Sequence, residues 1–466
     1  MTPSSSARPS VCILSRKDLG TLTRVVRQAG SLSAAGWQVT VVCLGRPVQE
    51  LLDTTPDVEY LEVTAEPWTR DAVISVREWF GEVRLRHRHS FLRTLYRPFR
   101  YVFFVLLSAA LLRTDDERLS DKIAELKGTW FVGVANQYLT LLRNRATSES
   151  FAEEASKALQ GRRINVCQAH DNYALLAGKR VTRESGAQLV YDAVEITEHR
   201  LALHHSVLSK IVERLERREE ARIFRNADAM ITIGEALADW YERRYDIPRP
   251  VVVRNCRHYW PYDRNEEIRR DCGIGEQEQL VVWFGHAYPE QGLERTIETS
   301  ARLREDIHVA LVLWITGPWT EFADGLREQA RRLGVDGRVH FLPPREPIEL
   351  ISYASGGDVG LIPRPTESPN TYFSMPNKFM EMVMARLPIA VSELVEMRTL
   401  IERYDIGRVF DVRDPAAIAA TLEAMLEPAL HKRLRENVMR AAEELCWEKE
   451  SQKLLAVYDR LRPSAG

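Results

Sequence analysis

The sequence predicts an α/β protein with two Rossmann-like, doubly wound domains that face each other across a cleft. From the N-terminus, short runs of β-branched residues alternate with longer helical stretches, which is typical of βαβ units on a parallel sheet. The alternation starts afresh after a proline-bearing stretch at residues 248–263 that has no helical periodicity. With 466 residues, of which 45% are hydrophobic and 28% charged, the chain is long enough for two or three buried cores.

Seven short apolar runs predict the strands of the first part of the chain, and we assign the first domain to residues 1–250. These runs are rich in residues that favour a pleated, half-buried surface. The predicted strands are Val11–Leu14, Val39–Leu44, Val58–Val63, Ile164–Ala169, Gln188–Tyr191, Ala229–Ile233 and Val251–Val253. The helices predicted between them cover residues 20–35, 172–184, 207–225 and 235–245.

The second domain, predicted over residues 251–445, repeats this architecture. Its predicted strands are Leu280–Phe284, Val309–Thr316, Val339–Leu342, Val359–Ile362, Ile389–Val391 and Arg408–Phe410. Helical stretches separate them, among them residues 293–304, 321–333 and 375–385. Open parallel sheets bind ligands outside the carboxyl ends of their strands, so we expect the functional site there.

A helical insertion over residues 69–160 is predicted to belong to neither sheet. Its segment 86–113 contains six arginines and no acidic residue, interleaved with six aromatic residues. The apolar positions follow the helical period, and Arg93, Arg97 and Arg100 share the opposite stripe. A basic amphipathic helix can lie among anionic lipid headgroups, so we expect contact with a membrane surface. The pattern leaves open a helix buried against its own domain with solvated arginines.

The charge balance and the cysteine pattern exclude several classes of partner. Lysine plus arginine total 64 against 66 acidic residues, a net charge of −2, so no nucleic-acid partner is predicted. The six cysteines are scattered, which favours neither a disulfide framework nor a metal site. The N-terminus lacks the apolar core of a signal peptide, and the longest apolar run, residues 101–112, is too short to span a bilayer. We predict a cytoplasmic protein, peripheral on the inner face of the membrane.

The most informative segment is the loop and helix at residues 361–388. A strand ends there, and Ser374 and Pro376 are predicted to start a helix through a capping oxygen and a preset backbone angle. The amides of that helix start, with Lys378 in the first turn, favour a phosphate. Glu381 follows on the same face, about 4.5 Å along the axis, where its carboxylate can accept hydrogen bonds from a ribose diol. The segment therefore predicts a nucleotide site.

The run Ser374-Met-Pro-Asn-Lys-Phe-Met-Glu381, continuing to Leu387-Pro388, resembles the second-domain motif of the family 4 glycosyltransferases of GT-B fold. Supporting motifs, which together cover most of the chain outside the insertion, are Ala169-His-Asp171, Val190–Glu195, Asn226–Glu235, Val251–Asn255, Val281–Gly285 and Gln291-Gly-Leu293. The resemblance implies transfer of a sugar from a nucleoside diphosphate sugar with retention of anomeric configuration, without a metal or other cofactor. It also implies that the C-terminal helix, in residues 446–466, crosses back to the first domain.

Several positions depart from the family pattern. Phe373 stands where many members have the first of two glutamates, and Val194 replaces a histidine. His286 and Gln291 stand where relatives have an arginine and a lysine that bind the diphosphate. We expect Arg364 to supply the missing charge, and we expect the substitution Gln291→Lys to be tolerated or activating.

The resemblance, together with the positions of polar residues at strand ends and in the loop after residue 362, gives the candidate site residues. The catalytic residues would be His170, which touches the donor sugar or its phosphate, Glu195, which orients an acceptor hydroxyl, and Arg364. The donor-binding residues would be Gly285, His286, Ser374, Asn377, Lys378 and Glu381. Gly20, in the loop after the first strand, is assigned to the acceptor side or to the diphosphate.

The function predicted from these residues is retaining transfer of a sugar from a nucleotide sugar to a lipid-linked or polysaccharide acceptor. Two alternatives stay open. The departures at Phe373, His286 and Gln291 motivate a non-catalytic relative that acts as a binding or scaffold partner. A sugar-nucleotide epimerase is the second, because it can share the GT-B fold.

Overall fold

The computed structural model describes residues 8–19, 23–45, 49–65, 130–196, 217–259, 261, 263–366 and 369–463. The chain divides into two compact units, Met1–Met230 with Val457–Gly466 and Ile231–Ala456. Residues 231–250, assigned to the first domain from the sequence, group with the second unit. One reason is that the side chain of Glu396 accepts hydrogen bonds from the N–H groups of Glu235 and Leu237, at the start of the helix Glu235–Tyr245.

The first unit contains a parallel sheet in the order β3-β2-β1-β4-β5. Its strands are β1 (Ser10–Asp18), β2 (Gln38–Gly45), β3 (Val58–Glu62), β4 (Val166–His170) and β5 (Gln188–Ala193). The helices of this unit are Thr23–Ala34, Gln49–Asp53, Trp130–Ala158 and Leu175–Ser185, with a further helical stretch at 217–225. In the register of the sheet, Ser15 lies opposite His170, and His170 lies opposite Asp192. These three polar residues therefore form a row across the carboxyl ends of β1, β4 and β5.

The strand β6 (Ala229–Thr232) contains the point at which the two units divide. Within the second unit, its residues Ile231 and Thr232 pair in parallel with β7 (Val251–Val252). The segment after β7 has no regular structure up to the helix Glu267–Cys272.

The second unit contains a parallel sheet in the order β10-β9-β8-β11-β12-β13. Its strands are β8 (Gln279–His286), β9 (Ile307–Trp314), β10 (Val339–Leu342), β11 (Val359–Ile362), β12 (Ile389–Ser392) and β13 (Gly407–Phe410). The helices of eight or more residues after β8 are Leu293–Ser300, Thr320–Arg332, Pro347–Ala354, Asn377–Met384, Val395–Tyr404, Pro415–Leu426, Pro428–Glu444 and Trp447–Arg460. The predicted α/β class with two parallel sheets is confirmed.

The element ends follow from local chemistry. Asp414 accepts a hydrogen bond from the N–H of Ala416 at 2.9 Å, and Pro415 occupies the first position of the helix Pro415–Leu426. A carboxylate cap followed by proline is a strong start signal, because it satisfies one donor and removes another. The helix Leu175–Ser185 ends at Gly186, whose φ of 73° suits a residue without Cβ.

All six cysteines are buried and free of disulfide bonds. Among the described helices, none has the length and apolar content that crossing a bilayer requires. The predicted insertion is described only from residue 130 onwards, where the helix Trp130–Ala158 lies. The basic segment 86–113 lies outside the described residues, so its membrane contact stays a prediction.

Candidate functional site

The side chains predicted to bind a donor gather at the carboxyl edge of the second sheet. At this edge β8 ends in Gly285 and His286, and β11 ends at Ile362. The helix Asn377–Met384 begins after the loop that follows β11. Because all strands of this sheet are parallel, their following loops emerge on the same side.

The start of this helix differs from the sequence-based expectation. Pro376 occupies the capping position with φ −65° and ψ 141°, and no side chain caps the helix. The hydroxyl of Ser374 instead donates to the carbonyl oxygen of Thr371 at 2.7 Å. The predicted capping role of Ser374 is therefore wrong, because Pro376, two residues later, occupies the capping position and the Ser374 hydroxyl is used in the preceding turn.

Lys378 is the second residue of the helix and is enclosed by β8 and the turn that follows it. Its Nζ donates to Gln291 Oε1 at 2.7 Å and lies 4.0 Å from the ring centroid of Trp283. Burial, aided by the nearby guanidinium of Arg364, lowers the pKa of Lys378 to about 7, although Glu381 acts in the opposite direction. An ammonium held in such surroundings gains strongly from a bound anion, since the anion offsets the cost of burying the charge.

Gly285 is required for this arrangement. Its φ is +143°, which strains any residue with a side chain. A Cβ added at Gly285 would lie 3.0 Å from Lys378 Nζ and would displace the ammonium group. The glycine therefore leaves the room that Lys378 occupies.

Arg364 lies close enough to Lys378 for its charge to lower the pKa of the lysine. The Arg364 carbonyl oxygen accepts from the hydroxyl of Ser392 at 2.6 Å, which fixes the loop after β11 to the end of β12. Its side-chain Nε is buried and has no hydrogen-bond partner in the described part of the chain. The site thus holds two basic side chains near each other, and the guanidinium of Arg364 has an unused donor.

Gly292, the residue after Gln291, also fixes the loop that follows β11. Its φ is +73°, and a Cβ there would come within 1.9 Å of the carbonyl oxygen of Pro363. No other residue type allows so close an approach, so the turn after β8 and the loop after β11 are locked together. Gln291 and Arg364, on either side of this contact, are held in place by it.

Glu381 is nearly buried, at 8% exposure, and is already paired. Its Oε1 accepts from both Arg257 Nη2 and Arg257 Nε, the latter at 3.2 Å. Arg257 is not among the site residues predicted from the sequence. Arg257 and Glu381 are 124 positions apart in the sequence. The nearest predicted motif, Val251–Asn255, ends two residues before Arg257.

Three other predicted or departing positions have simple surroundings. His286 is exposed, with its ring centroid 6.3 Å from that of Trp314. Asn377 is exposed and accepts from the side-chain amide of Asn255 at 2.6 Å. Phe373 is half-buried beside Trp240, with ring centroids 6.5 Å apart. An apolar contact therefore occupies the position at which many relatives have a carboxylate.

In the first unit, His170 lies at the end of β4 within a buried polar network. The side chain of His170 is 2% exposed, and its Nδ1 lies 2.9 Å from Asp192 Oδ2. Arg24 donates to Asp192 from Nη2 at 2.7 Å and from Nε at 2.9 Å, and Gln28 donates at 3.0 Å. Burial acts to raise the pKa of Asp192, but Arg24 and His170 outweigh it and hold that pKa below its usual range. The ionised carboxylate can accept from the Nδ1–H of His170, which fixes the orientation of the ring.

A second cluster lies at the ends of β1, β4 and β5 in the same unit. Lys17 Nζ lies 2.9 Å from Asp171 Oδ2 and 3.9 Å from Glu195 Oε1. Asp171 has φ 59°, and its Oδ1 accepts from the N–H of Tyr173 at 2.7 Å. Lys17 therefore brings Asp171 and the predicted residue Glu195 together, a role that the sequence analysis did not assign. Gly20 lies outside the described residues, so its role stays a prediction.

Among the described residues, no group of three or more His, Cys, Asp or Glu side chains is placed to hold a metal ion. The candidate sites of both units instead consist of basic side chains and carboxylates near strand ends. The second unit offers Lys378 and Arg364 to an anion and one carboxylate, Glu381, to a hydroxyl donor. The first unit offers a histidine Nε2 and the carboxylate of Glu195.

Comparison with known proteins gives a consistent result. Residues 278–428 match the family described as Glycosyl transferases group 1. A D-inositol 3-phosphate glycosyltransferase from Geodermatophilus obscurus is 27% identical over 280 residues, which are 56% of this chain and 60% of that protein. Sucrose-phosphate synthase from Thermosynechococcus elongatus has a similar structure, with a TM-score of 0.66 and 14% identity over 97% of this chain and 99% of that one. Anabaena Alr3699/HepE in complex with UDP has a TM-score of 0.63 and 12% identity, over 97% and 100% of the two chains.

The predicted resemblance to the glycosyltransferases of GT-B fold is confirmed by these matches. The family match lies wholly in the second unit, and the structural likeness covers nearly the whole chain. The match to the Geodermatophilus relative spans 60% of that protein, which is less than two thirds of its length.

Proposed function

We propose that this chain, which has the GT-B fold and a second unit related to the glycosyl transferases group 1 family, is a retaining glycosyltransferase. It moves a sugar from a nucleoside diphosphate sugar to a lipid-linked or polysaccharide acceptor. The observation that carries the proposal is the pair of neighbouring cations, Lys378 and Arg364, with an unpartnered buried guanidinium nitrogen. Such a pair suits a diphosphate, and Glu381, farther along the same helix, suits the ribose.

The reaction follows from where charge develops. The bond between the sugar C1 and the β-phosphate oxygen breaks, and the leaving diphosphate gains negative charge. Lys378 and Arg364 stabilise this charge more strongly in the transition state than in the bound donor. The acceptor oxygen forms its bond to C1 on the same face, and its proton passes to an oxygen of the leaving phosphate. This route needs no carboxylate nucleophile, which fits a site with Phe373 at the glutamate position.

The residues of the first unit have roles in the same proposal. His170 Nε2 contacts a hydroxyl of the donor sugar or its phosphate, and the buried Asp192 orients the ring through Nδ1. Glu195, held near Lys17, accepts a hydrogen bond from the acceptor hydroxyl and orients it. The proposal gives neither residue a covalent role.

The test is incubation of the purified protein with labelled UDP-, GDP-, ADP- and dTDP-sugars. Transfer or hydrolysis supports the glycosyltransferase. Binding without turnover supports the scaffold alternative that Phe373 motivates, and an isomerised donor supports the epimerase. A protein that binds none of these compounds contradicts the donor site.

We expect Glu381→Gln to weaken nucleoside diphosphate binding by about 10- to 100-fold, since a hydrogen bond to a charged group contributes about 1.5–3 kcal/mol. Calorimetry with UDP, GDP, ADP and dTDP measures the effect. The matched control is Glu448→Gln, which removes another carboxylate of the second unit, one that accepts from His258 Nδ1 at 2.8 Å. If the two variants bind nucleoside diphosphates with equal affinity, Glu381 does not bind the ribose.

The basic segment 86–113 supports the membrane part of the proposal, with the enzyme working at the cytoplasmic face of the membrane. Replacing Arg93, Arg97 and Arg100 by glutamine is expected to release the protein from vesicles of acidic lipid, because each arginine near such a surface contributes about 1 kcal/mol. Flotation measures this, and binding of the unaltered protein should weaken as the salt concentration rises. Binding that ignores both changes, or no binding at all, supports the buried-helix alternative.

A further inference from the structure

The pair formed by Arg257 and Glu381 bears on how a donor nucleotide is recognised. Glu381 is the carboxylate that the proposed function assigns to the ribose, yet one of its two oxygens is already occupied. Oε1 accepts from both Nη2 and Nε of Arg257. Within the described part of the chain, Oε2 of Glu381 has no hydrogen-bond partner. This oxygen is not fully buried, so a ligand can reach it.

Arg257 is held in this position by its neighbours in the second unit. Residues 255–257 run beside the helix Asn377–Met384 and contact it at three successive points. Asn255 donates to Asn377 at 2.6 Å, Cys256 Sγ lies 3.7 Å from Met380 Sδ, and Arg257 reaches Glu381. On the other side, the Arg257 carbonyl oxygen accepts from the N–H of Trp447 at 2.8 Å. The arginine is therefore fixed along its backbone as well as through its side chain.

Counting acceptor sites shows the consequence for a bound ribose. A carboxylate oxygen has two lone pairs, and Arg257 uses both lone pairs of Oε1 with two N–H groups. A cis-diol binds a free carboxylate best when each hydroxyl donates to a different oxygen. With Oε1 occupied, Oε2 alone stays open. It also has two lone pairs, but the two hydroxyls of a cis-diol would have to share it, so one of them donates at a poorer angle and adds little.

We propose that Arg257 occupies one oxygen of Glu381, so that the site recognises one ribose hydroxyl instead of two and accepts 2′-deoxyribose nucleotides as well as ribose ones. The inference rests on the proposed function, because it takes the ribose to lie at Glu381. The donors it adds are nucleoside diphosphate sugars whose pentose lacks one of its two hydroxyls.

The experiment compares nucleoside diphosphates that share a base and differ only in the sugar. Calorimetry first finds which of UDP, GDP, ADP and CDP binds the unaltered protein most tightly. The affinity of that compound is then compared with those of its 2′-deoxy, 3′-deoxy and 2′,3′-dideoxy forms. We expect either single deletion to weaken binding less than about threefold, because the other hydroxyl takes Oε2, and the double deletion to weaken it about tenfold or more.

Arg257→Leu provides the second measurement. Removing the guanidinium opens Oε1, so the diol can bind both oxygens, and each single deletion is then expected to cost about tenfold or more. The matched control is Arg264→Leu, which removes an arginine of the same unit that pairs with Asp358 at 3.0 Å. This control should keep the tolerance of the unaltered protein.

The outcomes separate the inference from the proposed function. If either single deletion already costs tenfold in the unaltered protein, both oxygens are used and the inference is wrong. If the dideoxy compound binds as well as the ribose compound, Glu381 does not hold the pentose, and the inference fails while the diphosphate site stands. If no nucleoside diphosphate binds, the proposed function itself fails.

Discussion

Lys378→Met is expected to lower nucleoside diphosphate affinity by about 10- to 100-fold, because a hydrogen bond to a charged group contributes about 1.5–3 kcal/mol and tenfold in affinity is about 1.4 kcal/mol. The same substitution is expected to raise the unfolding temperature of the protein. The lysine holds a charge among Trp283, Gly285 and Gln291, at a cost that an apolar side chain of similar length avoids. Loss of binding together with gain of stability is typical of a residue kept for function.

The pH dependence of stability gives an independent measurement for the same residue. Burial lowers the pKa of Lys378 from 10.5 to about 7, so between these values the unfolded chain carries a proton that the folded chain lacks. Stability should therefore rise as the pH increases from about 7 towards 10.5, and Lys378→Met should remove that part of the slope. Urea unfolding at pH 7 and pH 9 measures the slope. A variant that is less stable than the unaltered protein, with unchanged affinity, would contradict the proposed role.

Gln291→Lys changes the residue that contacts Lys378. The sequence predicts that this substitution is tolerated or activating, whereas the contacts of Gln291 favour the opposite result. Gln291 is 5% exposed, and its Oε1 accepts from Lys378 at 2.7 Å. A lysine at this position would place a second ammonium beside the first and would remove the acceptor. We now expect weaker donor binding or a less stable protein, because buried like charges repel strongly.

The sequence was sufficient for the features that depend on local order. Hydrophobic alternation predicted the strands of both sheets to within a few residues, because β-branched runs bounded by turns leave little choice of structure. The three-residue spacing of Lys378 and Glu381 placed both on one helix, and the structure has them there. Local spacing also predicted the loop between β11 and this helix, and the structure has that loop packed against Gly292 at Pro363.

Features that depend on contacts between distant segments could not be predicted in this way. Arg257 reaches Glu381 across 124 positions, and Gln291 reaches Lys378 across 87. Neither pair follows a helical or strand spacing, so only the packing of the sheet brings the partners together. The capping role of Ser374 failed for a different reason, since Pro376, two residues later, occupies the capping position. For Ser374, the surrounding structure overrode the local capping rule.

Asp192→Asn is expected to destabilise the first unit by about 3–5 kcal/mol, the usual cost of leaving a buried charge without its partner. The side chain of Asp192 is fully buried, and that of its partner Arg24 is 4% exposed, so water cannot replace the lost charge. Urea unfolding measures the effect, with Glu153→Gln as the control. Glu153 pairs with the half-exposed Lys157 on the surface of the same unit, and removing such a pair changes stability by less than about 1 kcal/mol.

The pH dependence should follow the same pair. Because the pKa of Asp192 lies below its usual range in the folded protein, the pair contributes its stability above the unfolded pKa of about 3.9 and loses it as the pH falls further. The Asp192→Asn variant should lack this acid-dependent loss.

A double-mutant cycle with Arg24→Met isolates the charge pair from the hydrogen bonds that Asp192 also accepts from Gln28 and His170. Arg24→Met removes the unpaired cation, so the double variant should be more stable than the sum of the two single changes by about 1–3 kcal/mol. Additive changes would mean that His170 and Gln28 alone satisfy Asp192. In that event the network would still orient the Nε2 of His170, but its strength would not depend on the buried arginine.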